Sequence, residues 1–468
     1  MSKWTRFPPT DEDETRLKNY ATLRKLMTSR HAEVYECLRN NDRWEQLWYL
    51  AVNFAGMTSK LCADMLFGEF PTITGENQKQ IDDIIADNAL QTVCHTMALS
   101  SSYRGDCVFK VRYGRFQDWD EKEYPVIEAV PSHAFFPDLD PNNIMGVKGA
   151  TIAWVREIGH DRYLRKEIHE PGRIINELYR MDSATNVGDQ LLLKSLDETA
   201  NLPEVQDTGF PGLLVEYVPN WRLDDEFWGI SDYFDILSLQ SELNNRMTKV
   251  RKILDKHSEP KLLLPPGIMK FDEKLQRWYV EKEDLEAIEV DPDTVGDLPK
   301  YLTWDAQLSA CFDEIDKLLE FMCLVTETAP SAIGLTGKDG GQAESGKALR
   351  FRLMRTLGKI DRKKRFFDQA LKNVLYAAQW LGGRSAEPVS IEWPDGLPDD
   401  PQETAEVLNS RIVSRTMSLR RGLTVEGLRG DALEEEIKEI EADREAASVV
   451  SPFSLNTEDE DDGDPDEE

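Results

Sequence analysis

Residues 227–258 read FWGISDYFDILSLQSELNNRMTKVRKILDKHS, and the predicted architecture depends on this segment. Ser231 is a residue type that favours helix N-caps, and neither Gly nor Pro interrupts the chain from there to His257. At 1.5 Å per residue, the segment predicts a helix about 39 Å long. Its apolar stripe is thin and its end is basic, a pattern typical of a helix that packs against copies of itself or stands in solvent.

A returning apolar helix is predicted at 304–324, after an insert at 259–302 with strand-like residues at 261–264 and 278–280. Helix, small β insert and returning helix together predict a hairpin with the insert at its tip. The returning helix leads into residues 326–345, a polar segment that contains four glycines. A loop of this length inside a compact domain is uncommon and tends to be functional.

The rest of the chain contains both helical and strand-like patterns. Apolar residues at three- and four-residue spacing predict helices at 42–66 and 81–97. Strand-like runs separated by turn residues occur at 107–113, 126–130, 151–156, 174–180 and 213–218. Later segments comprise a long helix at 347–381 with a basic first half, a strand at 388–393, short helices at 400–447, and an acidic tail at 456–468. The sequence therefore predicts an α+β fold that is mainly helical, with a tail too highly charged to become ordered.

The 468-residue chain is strongly acidic, with 56 Lys and Arg against 87 Asp and Glu and a net charge of −31. The last eleven residues hold nine of these acids, so the remainder still carries −22. This charge disfavours a tight, sequence-reading DNA-binding protein, which normally presents a basic surface. The six cysteines are scattered without a CxxC pair, which predicts reduced, buried thiols. We expect neither secretion nor a membrane span, because no signal-peptide pattern and no run of ~20 apolar residues occurs.

One motif imitates a nucleotide site. Residues 341–347 match the phosphate-loop pattern GxxxxGK, but Ala348 stands where a Ser or Thr hydroxyl must hold magnesium. The preceding residues are polar and broken by Gly and Pro, whereas a nucleotide-binding fold needs a buried strand there. We therefore interpret the motif as a loop that joins a helix N-terminus.

Other motif-like stretches also have plainer interpretations. Asp138, Asp140 and Asn142 imitate the start of a calcium loop but lack its Gly and Glu, so we predict a turn between strands. The tripeptide RGD at 104–106 is interpreted as a helix-to-strand turn. No paired histidine motif, GxSxG elbow or other catalytic pattern occurs, so we expect no enzyme, no cofactor and no metal site.

The order of these segments resembles the portal protein of tailed bacteriophages, the siphovirus type of head-to-tail connector. FWGISD at 227–232, followed by Leu239, Leu243 and Asn244, resembles the family's G-x-S-D … L … N start of the first stem helix. ESGKALR at 344–350 resembles the ESG-x-A-L start of the long kinked helix. IEWPDGLP at 391–398 resembles the strand and turn that open the crown, and NFAG … LFGE at 53–69 resembles the early wing helix. The resemblance covers roughly 42–447.

The resemblance implies a dodecameric ring with an axial channel for DNA. It assigns 1–226 to the wing, 227–258 to the first stem helix, 259–302 to the clip and 303–325 to the second stem helix. It further assigns 326–346 to the tunnel loop, 347–394 to the long wing helix and its strand, 395–450 to the crown and 451–468 to an acidic disordered tail. The clip insert is short for the family, which leaves its partner surface open.

The resemblance places the tunnel loop at the narrowest part of the channel, beside passing DNA. Its lysine would touch phosphates briefly while its acids limit adhesion, and a loop without a role is the alternative. The loop residues singled out are Gly334, Gly337, Lys338, Asp339, Gly340, Gly341 and Glu344. The stem residues singled out are Asn244, Met247, Lys249, Arg251, Lys252 and Lys256.

Cations recur along the long wing helix. Arg352, Arg355, Lys359 and Arg362 fall at three- and four-residue steps and share one face, and Arg350 precedes them. We favour salt bridges from this face to an acidic wing of the next subunit, because a cyclic assembly must bury a heterologous patch. Contact with packaged DNA and a solvated charged face are the alternatives.

In the family, the clip docks the large terminase subunit during packaging and a head-completion adaptor afterwards. Here the clip carries an acidic rim that suits a basic partner, and a merely solvated rim explains the charges equally well. The rim comprises Glu281, Glu283, Asp284, Glu286 and Glu289.

The function implied by the resemblance is structural. The protein would be made in the host cytoplasm, sit at one capsid vertex of the virion among major capsid and scaffolding proteins, and pass double-stranded DNA non-specifically. A negative lining suits sliding, because each cation held on a phosphate adds binding free energy; simple solubility is the other explanation of the acidity. The alternatives are a nucleotide-dependent DNA-packaging enzyme and a virion scaffold or adaptor that conducts no DNA.

Overall fold

A computed structural model of the chain describes residues 4–35, 49–117, 121–258, 261–263, 270–272, 276–279, 300–302, 308–335, 346–395, 401–425 and 431–449. The chain divides into two compact units, Met1–Leu397 and Pro398–Glu468. Three predictions fall outside the described residues: the tunnel-loop residues after 335, the clip acids at 281–289 and the acidic tail.

Two helices open the first unit. Helix α1, Asp11–Met27, has Thr10 as its N-cap and four acids in its first turn, which suit the positive end of the helix dipole. Helix α2, Phe54–Phe67, begins at Asn53, whose side chain accepts a hydrogen bond from the Gly56 amide at 2.9 Å. The predicted start at 42 is therefore wrong, because residues 49–52 are not helical and the Asn53 cap sets the beginning of α2.

The helix predicted at 81–97 is two helices, α3 (Gln78–Asp87) and α4 (Leu90–Arg104). Ala89 between them adopts a left-handed φ of 44°. The adjacent Asn88 side chain accepts from the Ile127 amide at 2.7 Å and donates to the Pro125 carbonyl at 2.9 Å. These contacts to a distant strand hold the break, which is why local apolar spacing does not reveal it.

The first sheet is antiparallel and lies in the core of the first unit. The first strand of the chain, β1 (Thr72–Thr74), is not part of this sheet. The sheet has three strands in the order β10 (Val215–Pro219), β2 (Asp106–Gly114) and β3 (Tyr124–Val130). Three of the predicted strands are thus confirmed, with ends that differ by one or two residues.

The second sheet is larger and also antiparallel. Its consecutive strands are β4 (Phe135–Asp140), β5 (Asn143–Ile158), β6 (Asp161–Glu170), β7 (Arg173–Met181) and β8 (Val187–Leu191), with β9 (Val205–Asp207) paired to β7. Strand β6 was not predicted, because its sequence DRYLRKEIHE is mostly charged. Its buried Lys166 pairs with Glu177 on β7 at 2.8 Å, and its Glu167 pairs with Lys110 on β2 at 3.4 Å, so tertiary partners compensate for the polar composition.

The predicted hairpin is confirmed. Helix α5, Leu237–Ser258, runs out, and helix α6, Leu308–Val325, returns beside it. Between them lie two antiparallel pairs, β11 (Lys261–Leu263) with β14 (Lys300–Leu302), and β12 (Lys270–Asp272) with β13 (Arg277–Tyr279). The side chain of Arg246 on α5 bridges the helices, with Nε 2.8 Å from carboxylate oxygens of Glu242 and Glu314.

Ser231 does not cap the long helix directly. A 3₁₀ turn, Phe234–Ile236, precedes α5. Ser231 Oγ accepts from the Tyr233 amide at 3.0 Å and donates to the Tyr103 carbonyl at 2.8 Å. The serine therefore starts the 3₁₀ turn and attaches it to the end of α4. Local capping rules predict a contact within the helix and cannot predict this tertiary contact.

Helix α7, Gly346–Gly383, is the longest element and closes the core of the first unit. Its buried side chains pack against α2, α3 and the first sheet; the rings of Phe367 and Phe67 lie 5.2 Å apart. Strand β15, Ser390–Glu392, then pairs antiparallel with β1. The second unit contains α8 (Pro401–Val413), α9 (Leu419–Val425) and α10 (Asp431–Val449), which confirms the helices predicted there.

Candidate assembly surfaces and a buried charge network

Two lysines of α7 hold the end of the FWGISD segment. The Asp232 carboxylate lies 2.6 Å from Lys363 Nζ and 3.2 Å from Lys359 Nζ, and all three side chains are buried. Ser102 Oγ and Asn220 Nδ2 donate to the same carboxylate at 2.6 and 3.0 Å. Burial alone would raise the pKa of Asp232, but the two ammonium groups outweigh it and hold the pKa well below its usual range. The start of the hairpin is thus fixed to α7 by a buried charge network.

The same face of α7 holds the end of the hairpin. Lys359 Nζ donates to the Thr326 carbonyl at 3.0 Å, and Thr356 Oγ1 donates to the Glu327 carbonyl at 3.0 Å. Glu327 has a left-handed φ of 54°, and its carboxylate receives two hydrogen bonds from Arg362 at 2.7 and 2.8 Å. Helix α7 therefore clamps the chain both where it enters the hairpin and where it leaves.

Two glycines allow backbones to cross at this junction. A Cβ on Gly229 would lie 2.0 Å from the Gly105 carbonyl oxygen, and a Cβ on Gly105 would lie 2.4 Å from the Gly229 oxygen. Gly105 also ends α4 with a left-handed φ of 100°. The RGD tripeptide is thus the predicted helix-to-strand turn, and the glycine of the G-x-S-D pattern is required by the close approach.

The predicted basic face of α7 is largely used within the chain. Lys359 is buried in the charge network and Arg362 is bonded to the turn after α6. Arg350 pairs with Asp395 at 2.6 Å. Helical spacing identifies residues that share a face, but it does not identify what covers that face. The Lys359 ammonium was expected to reach a neighbouring subunit, and it instead stabilises the fold of its own chain. Arg352 and Arg355 are exposed.

Asn244, the first of the stem candidates, lies on α5 and is buried. Its Nδ2 donates to His31 Nδ1 at 3.1 Å and to the Tyr49 hydroxyl at 3.0 Å, and its Oδ1 accepts from the Val52 amide at 3.0 Å. Burial lowers the pKa of His31, which favours the neutral ring that can accept this bond. Asn244 therefore attaches the N-terminal segment to α5.

The other stem candidates on α5 differ in exposure. Met247 is half-buried and packs against the core of the hairpin. Lys249 and Arg251 are exposed, and Lys252 is half-buried. The side chain of Lys256 lies outside the described part of the structure.

Residues 8–449 match the family model described as phage portal protein, SPP1 Gp6-like. The chain belongs to the phage portal protein family. Members are structural proteins of the virion that form the portal at a capsid vertex, so the match confirms the family expected from the order of segments. No curated protein matched the sequence. Among the described helices of this portal protein, none has both the length and the apolar character that a bilayer span requires.

The portal chain is also similar to solved structures from gene transfer agent particles. One is the neck of the native particle computed with C12 symmetry, with 10% identity, a TM-score of 0.42, and coverage of 80% of this chain and 90% of that chain. Another is the neck of the empty particle computed with C6 symmetry, with 12% identity, a TM-score of 0.43, and coverage of 83% and 94%. The virion of the native particle gives 10% identity, a TM-score of 0.40, and coverage of 80% and 90%.

An apolar cleft lies where α6 ends and α7 begins. Phe321 and Leu324 on α6 are 51% and 55% exposed, and Phe351 and Met354 on α7 are 78% and 63% exposed. The cleft has a volume of about 450 Å³, and Arg352 and Arg355 lie on its wall. Large apolar side chains gathered in one exposed cleft mark an interaction surface. The sequence predicted both helices of the portal chain but not this cleft, because the two helices meet only in the folded structure.

The buried charge network was not predicted from the sequence. Asp232 belongs to the FWGISD motif, which gave no sign that its carboxylate is buried, and Lys363 was not among the candidates although it follows Lys359 by one helical turn. In the tunnel loop, Gly334 ends a 3₁₀ turn with a left-handed φ of 78°, and its other candidates lie outside the described residues. The phosphate-loop imitation ends in the first two residues of α7, as predicted, and no strand occurs among the described residues 326–335 upstream of it. Asp140 accepts from the Asn142 amide at 2.8 Å, which confirms the turn between β4 and β5.

Proposed function

We propose that this portal protein assembles as a dodecameric ring through whose axis double-stranded DNA is packaged and later ejected. In this assignment the helical hairpin is the stem and the insert at 259–302 is the clip. Residues 1–226 and 347–394 form the wing and 395–450 the crown. Family membership supports the assignment, and so does a hairpin with a small β insert at its tip.

The observation that carries ring formation is the apolar cleft between α6 and α7. In a single chain its four large apolar side chains remain in water, at a cost of roughly 25 cal/mol per Å² of apolar surface. A ring buries one heterologous patch per subunit against the next copy, which removes this cost. Arg352 and Arg355 at the cleft are then suited to acidic side chains of the neighbour, in line with the acidity of the chain.

The clip and tunnel loop have roles in the same proposal. The clip docks the large terminase subunit and afterwards a head-completion adaptor, with Glu281, Glu283, Asp284, Glu286 and Glu289 as its acidic rim. The tunnel loop, with Lys338, Asp339 and Glu344 among its glycines, lines the narrowest part of the channel. Major capsid and scaffolding proteins surround the ring at the vertex of the virion.

Electron microscopy and mass photometry of the purified chain test the proposal. We expect rings with an axial hole from the unmodified protein, and subunits or small oligomers from the double variant Leu324→Ser/Phe351→Ser. Leu192→Ser is the matched control, because Leu192 is 68% exposed but lies apart from the cleft; it should leave the rings intact. A monomeric unmodified chain, or intact rings from the cleft variant, would contradict the assignment.

A further inference from the structure

A second cavity lies between α7 and the segment 220–235, next to the buried charge network. Its volume is about 770 Å³. The cations in its wall are Arg222, Lys359, Arg362, Lys363 and Arg365. The carboxylates in its wall are Asp232, Asp235 and Glu327. The wall therefore has an excess of two positive charges, inside a chain whose net charge is −31.

The two buried lysines in this wall have donors to spare. An ammonium group has three N–H donors. Lys363 uses two of them on Asn220 Oδ1 and Asp232 Oδ2, and Lys359 uses two on the Thr326 carbonyl and Asp232 Oδ1. Each lysine keeps one donor that finds no acceptor among the described residues. Because both lysines line the cavity, their remaining N–H donors could be accepted by an anion bound there, and such charge-assisted hydrogen bonds would stabilise the site.

Two arginines complete the cavity. Arg365 is exposed and Arg222 is half-buried, and neither forms an ion pair with a residue in the described part of the chain. A guanidinium presents paired N–H donors whose geometry matches two oxygens of one phosphate. Together with the two lysines, the arginines place cationic donors at both the buried end and the open side of the cavity wall.

We propose that this cavity binds a phosphate dianion, either free inorganic phosphate or the terminal group of a phosphate monoester. The excess of two positive charges in the cavity wall favours this class of ligand. A phosphate dianion neutralises both charges, whereas a ligand with a single carboxylate neutralises only one. The bound dianion would contact α7 and the segment that enters the hairpin, and the turn that leaves the hairpin lies in the same wall. Binding would therefore stabilise the junction of hairpin and core in the folded state. The proposal does not depend on ring formation.

The test is a ³¹P NMR titration of the full-length protein at pH 7.5 and constant ionic strength, with inorganic phosphate and glycerol phosphate as separate probes. We expect saturable line broadening with at least one probe; the tighter probe identifies free phosphate or a monoester as the ligand. Arg222→Ala/Arg365→Ala should weaken binding by roughly a hundredfold, because each of the two lost charge-assisted contacts is expected to weaken it by about tenfold.

The variant replaces side chains at the open side of the cavity, so the buried network and the fold should persist, as circular dichroism would verify. Arg115→Ala/Arg173→Ala is the matched control, because both arginines are exposed and lie outside the cavity wall; it should bind like the unmodified protein. The absence of saturable binding of either probe, or equal affinity in the Arg222→Ala/Arg365→Ala variant, would overturn the proposal.

Discussion

Asp232 has an unusual position for a carboxylate in an acidic protein. Most charged residues in the described part of the chain are exposed or half-buried, whereas Asp232 is buried between Lys359 and Lys363 with Ser102 and Asn220 as further partners. A buried charge that loses its partner is strongly destabilising, because the remaining charge cannot recover its hydration. Asp232 is therefore a residue whose charge, rather than its size, holds α7 to the hairpin.

We expect Asp232→Asn to lower the free energy of unfolding by about 3–5 kcal/mol, since it preserves shape but leaves two lysines without a buried counter-ion. Urea unfolding followed by tryptophan fluorescence, at one protein concentration, measures the change. Asp224→Asn is the control, because Asp224 is exposed in the same segment; its effect should stay within about 0.5 kcal/mol. Equal effects of the two variants would show that the network contributes little.

Glu216 on β10 is the converse case, a carboxylate without an ion-pair partner among the described residues. The Asn373 side-chain amide donates to its carboxylate at 2.9 Å, and burial raises the pKa of Glu216 to about 7. A raised pKa means that folding favours the neutral form. The stabilising contribution is complete below the ordinary glutamate pKa and is lost as the pH rises through about 7.

The stability advantage of Glu216→Gln over the unmodified protein should therefore be small at pH 5 and reach roughly 3 kcal/mol at pH 8, since each pKa unit corresponds to about 1.4 kcal/mol. Burial also raises the pKa of Asp106, to about 6, so part of the pH dependence should remain in the variant. Glu226→Gln, at an exposed glutamate, should leave the pH profile unchanged. A variant profile that parallels the unmodified one at every pH would show that Glu216 does not titrate in this range.

At the scale of elements, the junction of α4, β2 and the segment before α5 depends on glycine. Gly105 must satisfy two conditions, a left-handed φ of 100° and a crossing with the backbone of Gly229. Gly172, in the turn between β6 and β7, satisfies only the first, with a φ of 85° and open space around it. Substitution of Gly172 therefore measures the cost of backbone strain alone, whereas substitution of Gly105 adds the cost of the close backbone crossing.

Gly172→Ala should cost about 1–2 kcal/mol, the strain of a left-handed alanine. Gly105→Ala adds a clash of the new Cβ with a carbonyl oxygen, so we expect a loss larger by several kcal/mol and a strongly reduced soluble yield. Melting temperature and soluble yield of the two variants, produced in parallel, give the comparison. If Gly105→Ala were no worse than Gly172→Ala, the crossing would not constrain the fold.

At the scale of the whole molecule, charge governs how a ring of these chains would treat DNA. Each chain carries −31, and Lys359 and Lys363 of the basic helix are buried in the chain itself. These two lysines are therefore not available to hold phosphates, and the net negative charge of the chain repels the DNA backbone. The assembly should confine a duplex without gripping it.

Purified rings should bind linear duplex DNA more weakly than about 10 µM at physiological salt, with little change when the salt is lowered. Fluorescence anisotropy of a labelled duplex across a salt series measures both quantities. Sub-micromolar binding that falls steeply with salt would contradict a channel lining along which DNA slides and would favour a lining that binds DNA phosphates tightly. A DNA-binding domain with a basic surface, titrated in parallel, verifies that the assay detects salt-dependent binding.

The sequence by itself determined the hairpin, the long basic helix, eight of the strands and the family, because helical spacing, strand-like runs and motif order are local properties. Only the tertiary structure decided the break at Ala89, the charged strand β6, the burial of Asn244 and the apolar cleft. The physical reason is distance along the chain. Asp232 and Lys363, for example, are 131 residues apart, and their ion pair exists only because α7 folds back onto the start of the hairpin.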